Sequence, residues 1–188
     1  LTPGPKIRLL QMDPLLKNLM KSCSTYPELL RSFQDAVEKS IRQDGFVGIK
    51  SHLGELVGFG APQVEADEAA RIYPAAAAGD GQAFNKLYMA VWLATMIQAQ
   101  ELKFPIHIHT GITGGLWNGP VANTDPFLLV PILRQPRFLR TRLILLHAGH
   151  PWMQHAGMMA HTFPHVWVDM GWMTPWTSQR IVEGYRDV

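Results

Sequence analysis

Apolar residues recur along this chain with two periods in turn. Short runs rich in Ile, Leu and Val alternate with longer stretches at helical spacing. Lys6-Ile7-Arg8-Leu9-Leu10-Gln11-Met12, after Pro3-Gly4-Pro5, predicts a strand. Thr25-Tyr26-Pro27-Glu28 predicts a helix start. Thr25 can cap, Glu28 can close the capping box, and Pro27 falls in the first turn, where its missing N–H does no harm. Leu29, Leu30, Phe33, Val37 and Ile41 follow at helical spacing, and Asp44-Gly45 ends the helix. Phe46-Val47-Gly48-Ile49-Lys50 predicts a second strand. Residues 51–82 are broken by Gly54, Gly58, Gly60, Pro62, Pro74 and Gly79-Asp80-Gly81. They read as a long irregular loop with one short helix in 64–73, and connections of that length are often functional.

Phe84, Leu87, Tyr88, Val91, Trp92, Thr95 and Ala99 make one wide stripe, predicting a helix over 83–103. Phe104-Pro105-Ile106-His107-Ile108-His109 predicts a third strand, ended by Thr110-Gly111. Asp125-Pro126 predicts a helix that is short or kinked at Pro131. Arg142-Leu143-Ile144-Leu145-Leu146-His147 is nearly all apolar, as strands buried on both faces are. A helix over 151–162, a fifth strand over 166–170 and a last helix from Ser178 complete the pattern. Strict alternation of strand and helix implies right-handed crossovers and a parallel sheet, hence an α/β fold. No repeat and no charged linker divides residues 1–188, which read as a single domain.

Composition narrows the picture only slightly. With 47% hydrophobic residues the chain can build a core, and its net charge of +2 carries no basic run that would recruit nucleic acid or an anionic membrane. The longest apolar run, about 87–97, is too short for a bilayer. Cys23 is alone and no signal-peptide pattern opens the chain, so the expected compartment is the cytoplasm.

The candidate chemistry lies at the strand ends. His109, His147 and Asp169 each close an apolar strand and are followed by Gly within two residues, and Lys50 closes the strand before them. In parallel α/β folds the C-terminal strand ends form the active-site face, so these four side chains should converge. Imidazoles with a carboxylate there suit a divalent metal such as zinc. Several readings stay open. Asp169 either joins the pocket or binds amides of its own turn. His107 shares a face with His109, as a ligand or one layer deeper. His150 starts the next loop and could touch substrate, and Trp172 and Trp176 could line a pocket. His52 reads as a plain loop residue, and His155, His161 and His165 as structural or solvent-facing. There is no G-x-S-x-G, P-loop, G-x-G-x-x-G, H-E-x-x-H or C-x-x-C.

Four segments resemble the amidohydrolase-related (amidohydrolase 2) family of metal-dependent TIM-barrel hydrolases, in the branch associated with glutamine-synthetase-like domains. They are Gly45-Phe46-Val47-Gly48-Ile49-Lys50-Ser51, Pro105-Ile106-His107-Ile108-His109-Thr110-Gly111, Leu145-Leu146-His147-Ala148-Gly149-His150-Pro151 and Phe163-Pro164-His165-Val166-Trp167-Val168-Asp169. They look like that branch's strand-four, -five, -six and -seven segments. The resemblance implies a partial (β/α)8 barrel running from strand three to strand seven. A TIM barrel takes about 250 residues, so the chain reads as a fragment.

By position, His109 would be the strand-five metal ligand. His147 would bind metal or polarise the substrate. Lys50, His107, His150, Asp169 and Trp172 would contact the substrate. The family's strand-one H-x-H pair and strand-eight Asp are not found in their places. The implied activity is a metal-dependent hydrolase whose activated water attacks a C–N or C–O bond of a small molecule, with residues 51–82 over the active-site face. The alternatives are a non-oxidative decarboxylase on the same scaffold or a degenerate barrel segment acting as a binding or regulatory module. The resemblance leaves room for a homo-oligomer.

Overall fold

The computed structural model describes residues 7–111 and 120–171. Its centre is one sheet of five parallel strands: β1 (Arg8–Gln11), β2 (Phe46–Ser51), β3 (Ile106–His109), β4 (Leu143–Leu146) and β5 (Val166–Val168). Their order in space is their order in the chain. A doubly wound sheet reverses its strand order at a switch point, whereas a (β/α)8 barrel never does. The sheet is therefore an arc of a TIM barrel, and all five expected strands are present.

Register and burial assign the two faces of the arc. Ile106 pairs with Leu143, Ile108 with Leu145, and Leu143 with Val166. These residues and Ile49 are buried in the main core beneath the helices, which marks their face as the outer one. The alternate positions form the inner face. There Lys50 pairs with His107, His107 with Ile144, and Ile144 with Trp167, which remains 46% exposed.

The helices follow from local rules that the sequence displays. In α2 (Tyr26–Arg42) the Glu28 amide donates to Thr25 Oγ1 and the Ser24 amide donates to Glu28 Oε2, a closed capping arrangement. In α5 (Gly81–Leu102) Asp80 accepts from the amides of Gln82 and Ala83. Leu87, Tyr88, Val91, Trp92 and Met96 of α5 are fully buried, and each such side chain contributes about 2 kcal/mol.

Three features differ from expectation. The chain turns from β1 directly into α1 (Met12–Leu19), a helix the strand pattern hid, which buries Met12 and Leu16. Pro14 and Asp13 sit in its first turn, where both are favourable. Residues 51–82 are more helical than predicted, with α3 (Leu53–Leu56) and α4 (Ala66–Ala77). Pro74 lies inside α4, and burial of Ala69, Tyr73 and Ala76 offsets its cost. Third, β5 ends at Val168, before Asp169.

After β3 come one-turn 3-10 segments, Val121–Thr124 and Pro126–Leu129, the second capped by Asp125, then the short helix α6 (Val130–Leu133), which carries Pro131 in its first turn. The helix α7 (Met153–Thr162) packs against β5. The helix expected from Ser178 lies outside the described residues.

Candidate metal centre

The C-terminal ends of β1, β2 and β3 bring together side chains that sequence spacing alone does not connect. His109 ends β3 and is buried. Its Nε2 lies 3.7 Å from Glu55 Oε1. Glu55 sits on α3, the single turn that follows β2, and its other carboxylate oxygen is 3.8 Å from His52 Nε2. One ligand atom from each of His52, Glu55 and His109 falls within 4.8 Å of the other two. Four ligands around a zinc ion stand about 3.3 Å apart. The three groups are thus near the spacing that one cation requires.

The electrostatics point the same way. Burial pushes the Glu55 carboxyl above its ordinary value, against the pull of His52 and Lys50, and the negative charge of Asp13 adds to the rise. A cation among these atoms would relieve that penalty. Two imidazoles and one carboxylate suit zinc or a similar borderline divalent ion. On chemistry and spacing the residues fit such an ion.

A second ring of contacts surrounds His52. Its Nδ1 lies 2.7 Å from Asp13 Oδ2, and Tyr88, fully buried on α5, donates to Asp13 Oδ1 at 2.5 Å. Burial would raise the Asp13 carboxyl, but the bonds from His52 and Tyr88 outweigh it and hold the group below its ordinary value. Burial and the charge of Asp13 drive the Tyr88 phenol well above its own range, so it keeps its proton.

His147 occupies the other flank. Its ring centre is 4.6 Å from that of His109, edge to face. It lies outside the three mutually close groups, so the structure brings His147 beside the cluster instead of into it. The His147 Nδ1–H donates to the Gly171 carbonyl at 3.1 Å. Burial depresses the His147 pKa, helped by the charges of Lys50 and His52 and opposed by the Gly171 bond and Asp169. His147, Ala148 and Gly149 all adopt positive φ, a conformation that costs the two non-glycine residues about 1–3 kcal/mol each. The turn is held by the Ala148 amide donating to the Asp169 carbonyl at 2.7 Å and by Gly111, whose backbone lies against that of Gly149 and His150.

The other expected site residues divide. Lys50 and His107 are neighbours on the inner face, and the Lys50 charge reaches Glu55, His107 and His147. Burial lowers the His107 pKa, with Asp169 opposing and Lys50 assisting. Asp169 accepts the Gly171 amide at 3.1 Å, the turn-forming role left open above, while its charge still acts on His107 and His147. His150 is buried in the turn after β4. Trp172 and Trp176 lie outside the described residues. His155 takes a structural place: it bonds Asp125 and stacks on Phe127.

His52 and Glu55 were missed because they sit in a Gly-rich stretch without periodicity. The available signal was His52-x-x-Glu55, an i,i+3 pair that one helical turn brings to one side, just after a strand-ending Lys50.

The profile described as Amidohydrolase matches residues 27–187. A crystal structure of a Lactobacillus casei protein, assigned as a metal-dependent hydrolase, superposes with a TM-score of 0.81 at 21% identity. The alignment covers 94% of this chain and 47% of that one, so this chain spans about half of that structure's length. At such identity the likeness speaks for the fold. No curated protein sequence matches. Since the family profile covers most of its length, the chain belongs to the amidohydrolase family.

Proposed function

We propose that this chain carries the metal-binding side of a hydrolase active site, with His52, Glu55 and His109 as ligands of one divalent cation, most simply zinc. The observation that supports this is the approach of their three ligand atoms to within 4.8 Å of one another at adjoining strand ends. A cation held there would supply an acidified water and polarise the C–N or C–O bond under attack.

The chain's own groups would do the rest. A carbonyl oxygen can only accept, so the bond to Gly171 commits the His147 proton to Nδ1. In the neutral ring favoured by burial, Nε2 is then an acceptor. That favours His147 as a further ligand or as the base that takes a proton from water. Lys50 would bind an anionic group of a small-molecule substrate, with His107 and Asp169 beside it. His150 and Trp172 would contact the substrate, as their places in the sequence just after the strand-ending His147 and Asp169 suggest. The start of the 51–82 segment would close the site through α3.

Elemental analysis of the intact protein tests the reading. Wild type should carry stoichiometric zinc or a related ion. His109→Ala should lower metal affinity by more than the roughly 10- to 100-fold that loss of an outer partner costs. Unchanged metal content in His109→Ala would sink the ligand assignment. A metal-loaded protein inert across a panel of small amides and esters would instead favour a binding module.

A further inference from the structure

The hydrogen bonds behind His52 leave little freedom in where their protons sit. A carboxylate accepts only, so both partners of Asp13 donate to it: Tyr88 through its hydroxyl at 2.5 Å and His52 through Nδ1–H at 2.7 Å. Tyr88 has one hydroxyl proton, and that proton is engaged in the bond to Asp13. The 3.0 Å contact between Tyr88 and Ser51 Oγ must therefore run from Ser51 to Tyr88. Ser51 Oγ in turn accepts the Leu53 amide at 3.2 Å. One directed chain results, from the Leu53 amide through Ser51 and Tyr88 to Asp13, where it meets the His52 ring.

The chain joins the first turn of α1, the middle of α5, the last residue of β2 and the start of α3. Tyr88 and Ser51 are fully buried, and the Asp13 side chain is 14% exposed. Little water competes for these bonds, so they define one arrangement.

We propose that Asp13, braced by Tyr88 and Ser51, is a positioning residue that fixes the ring of His52 in its Nδ1–H tautomer and turns Nε2 toward Glu55 and His109. A carboxylate behind a ligating imidazole sets its orientation and strengthens it as a donor. The inference rests on the metal-site reading for its consequence, but the hold of Asp13 on His52 is measurable without any metal.

Two measurements on the intact protein test it. The first is the tautomer of His52, read from long-range proton–nitrogen NMR of the metal-free protein, with His52→Gln identifying the resonance. The second is zinc affinity, read by competition with a chelating dye. Wild type should show the Nδ1–H tautomer. Asp13→Asn should mix the tautomers and weaken zinc by about 10- to 100-fold. Tyr88→Phe should move both readouts in the same direction by less, and it decides the matter if Asp13→Asn does not fold. A folded Asp13→Asn with the wild-type tautomer or wild-type zinc affinity would overturn the proposal. If His52→Gln binds zinc as wild type does, the metal-site assignment of His52 fails instead, and the tautomer in Asp13→Asn still decides whether Asp13 governs the ring.

Discussion

Two histidine–aspartate pairs in this molecule have nearly the same bond and opposite surroundings. His52 meets Asp13 at 2.7 Å, and His155 meets Asp125 at 2.8 Å, each through Nδ1. Both histidines are about one-third exposed, at 30% and 35%. Beyond His52 stand Glu55 and His109, so its second nitrogen faces a carboxylate and another imidazole. The ring of His155 lies flat on Phe127, 3.9 Å away and 3° from parallel, with Trp152 also stacked at 5.8 Å. Asp125 also caps the 3-10 turn that carries Phe127. The second pair is a clasp that fastens a loop to α7. What a histidine can do is decided by what its other nitrogen and its ring faces meet.

The largest test of this contrast removes the link between the regions. Gly111 lies two residues after His109, the end of β3, and is tied to Thr124, the neighbour of Asp125, by a bond from Thr124 Oγ1 to the Gly111 carbonyl at 2.9 Å. Its φ is +75°, and an added Cβ would collide with the His150 carbonyl oxygen. Gly111→Ala should cost more than about 3 kcal/mol and disturb both regions. A melting temperature within a degree of wild type would show that the turn yields more easily than its packing implies.

A smaller effect separates the pairs directly. His155→Ala should cost about 1 kcal/mol, because its bond is partly open to solvent, and leave metal content unchanged. Lost metal in that variant would erase the distinction between clasp and ligand.

The smallest effect comes from acid. His165 is buried against Phe163, and burial holds its pKa below the ordinary 6.5. The unfolded chain therefore binds the proton more readily than the folded one below about pH 6.5. Stability is then complete above that pH and falls as pH drops through it. His107 and His147 are shifted in the same direction. His165→Gln should make the acid slope shallower while leaving the His52 and His155 pairs in place. An identical slope in urea melts between pH 7 and 5 would assign the acid response to other groups.

The strands could be read before folding because their outward residues are buried by helices, and where the inward ones are covered too the run is unbroken, as in Leu143–Leu146. His109 and His147 were legible as histidines that close apolar strands, each followed within two residues by a glycine. α1 was not legible, because Met12 continues the apolar run of β1 and no loop separates the two elements. Glu55 carried no periodic context, so only the turn of α3 reveals that it reaches His109.

Alternation and strand-end chemistry are properties of neighbours along the chain, and on them the sequence by itself determined a parallel α/β sheet with histidines closing its strands, the family resemblance adding the barrel. The partners of those histidines were decided by tertiary structure alone. Asp13 and His52 are 39 residues apart, and Asp13 and Tyr88 are 75 apart. No local rule pairs them. They meet because parallel strands in chain order bring every C-terminal end to one side, and because α1, α3 and α5 converge behind the first of those ends.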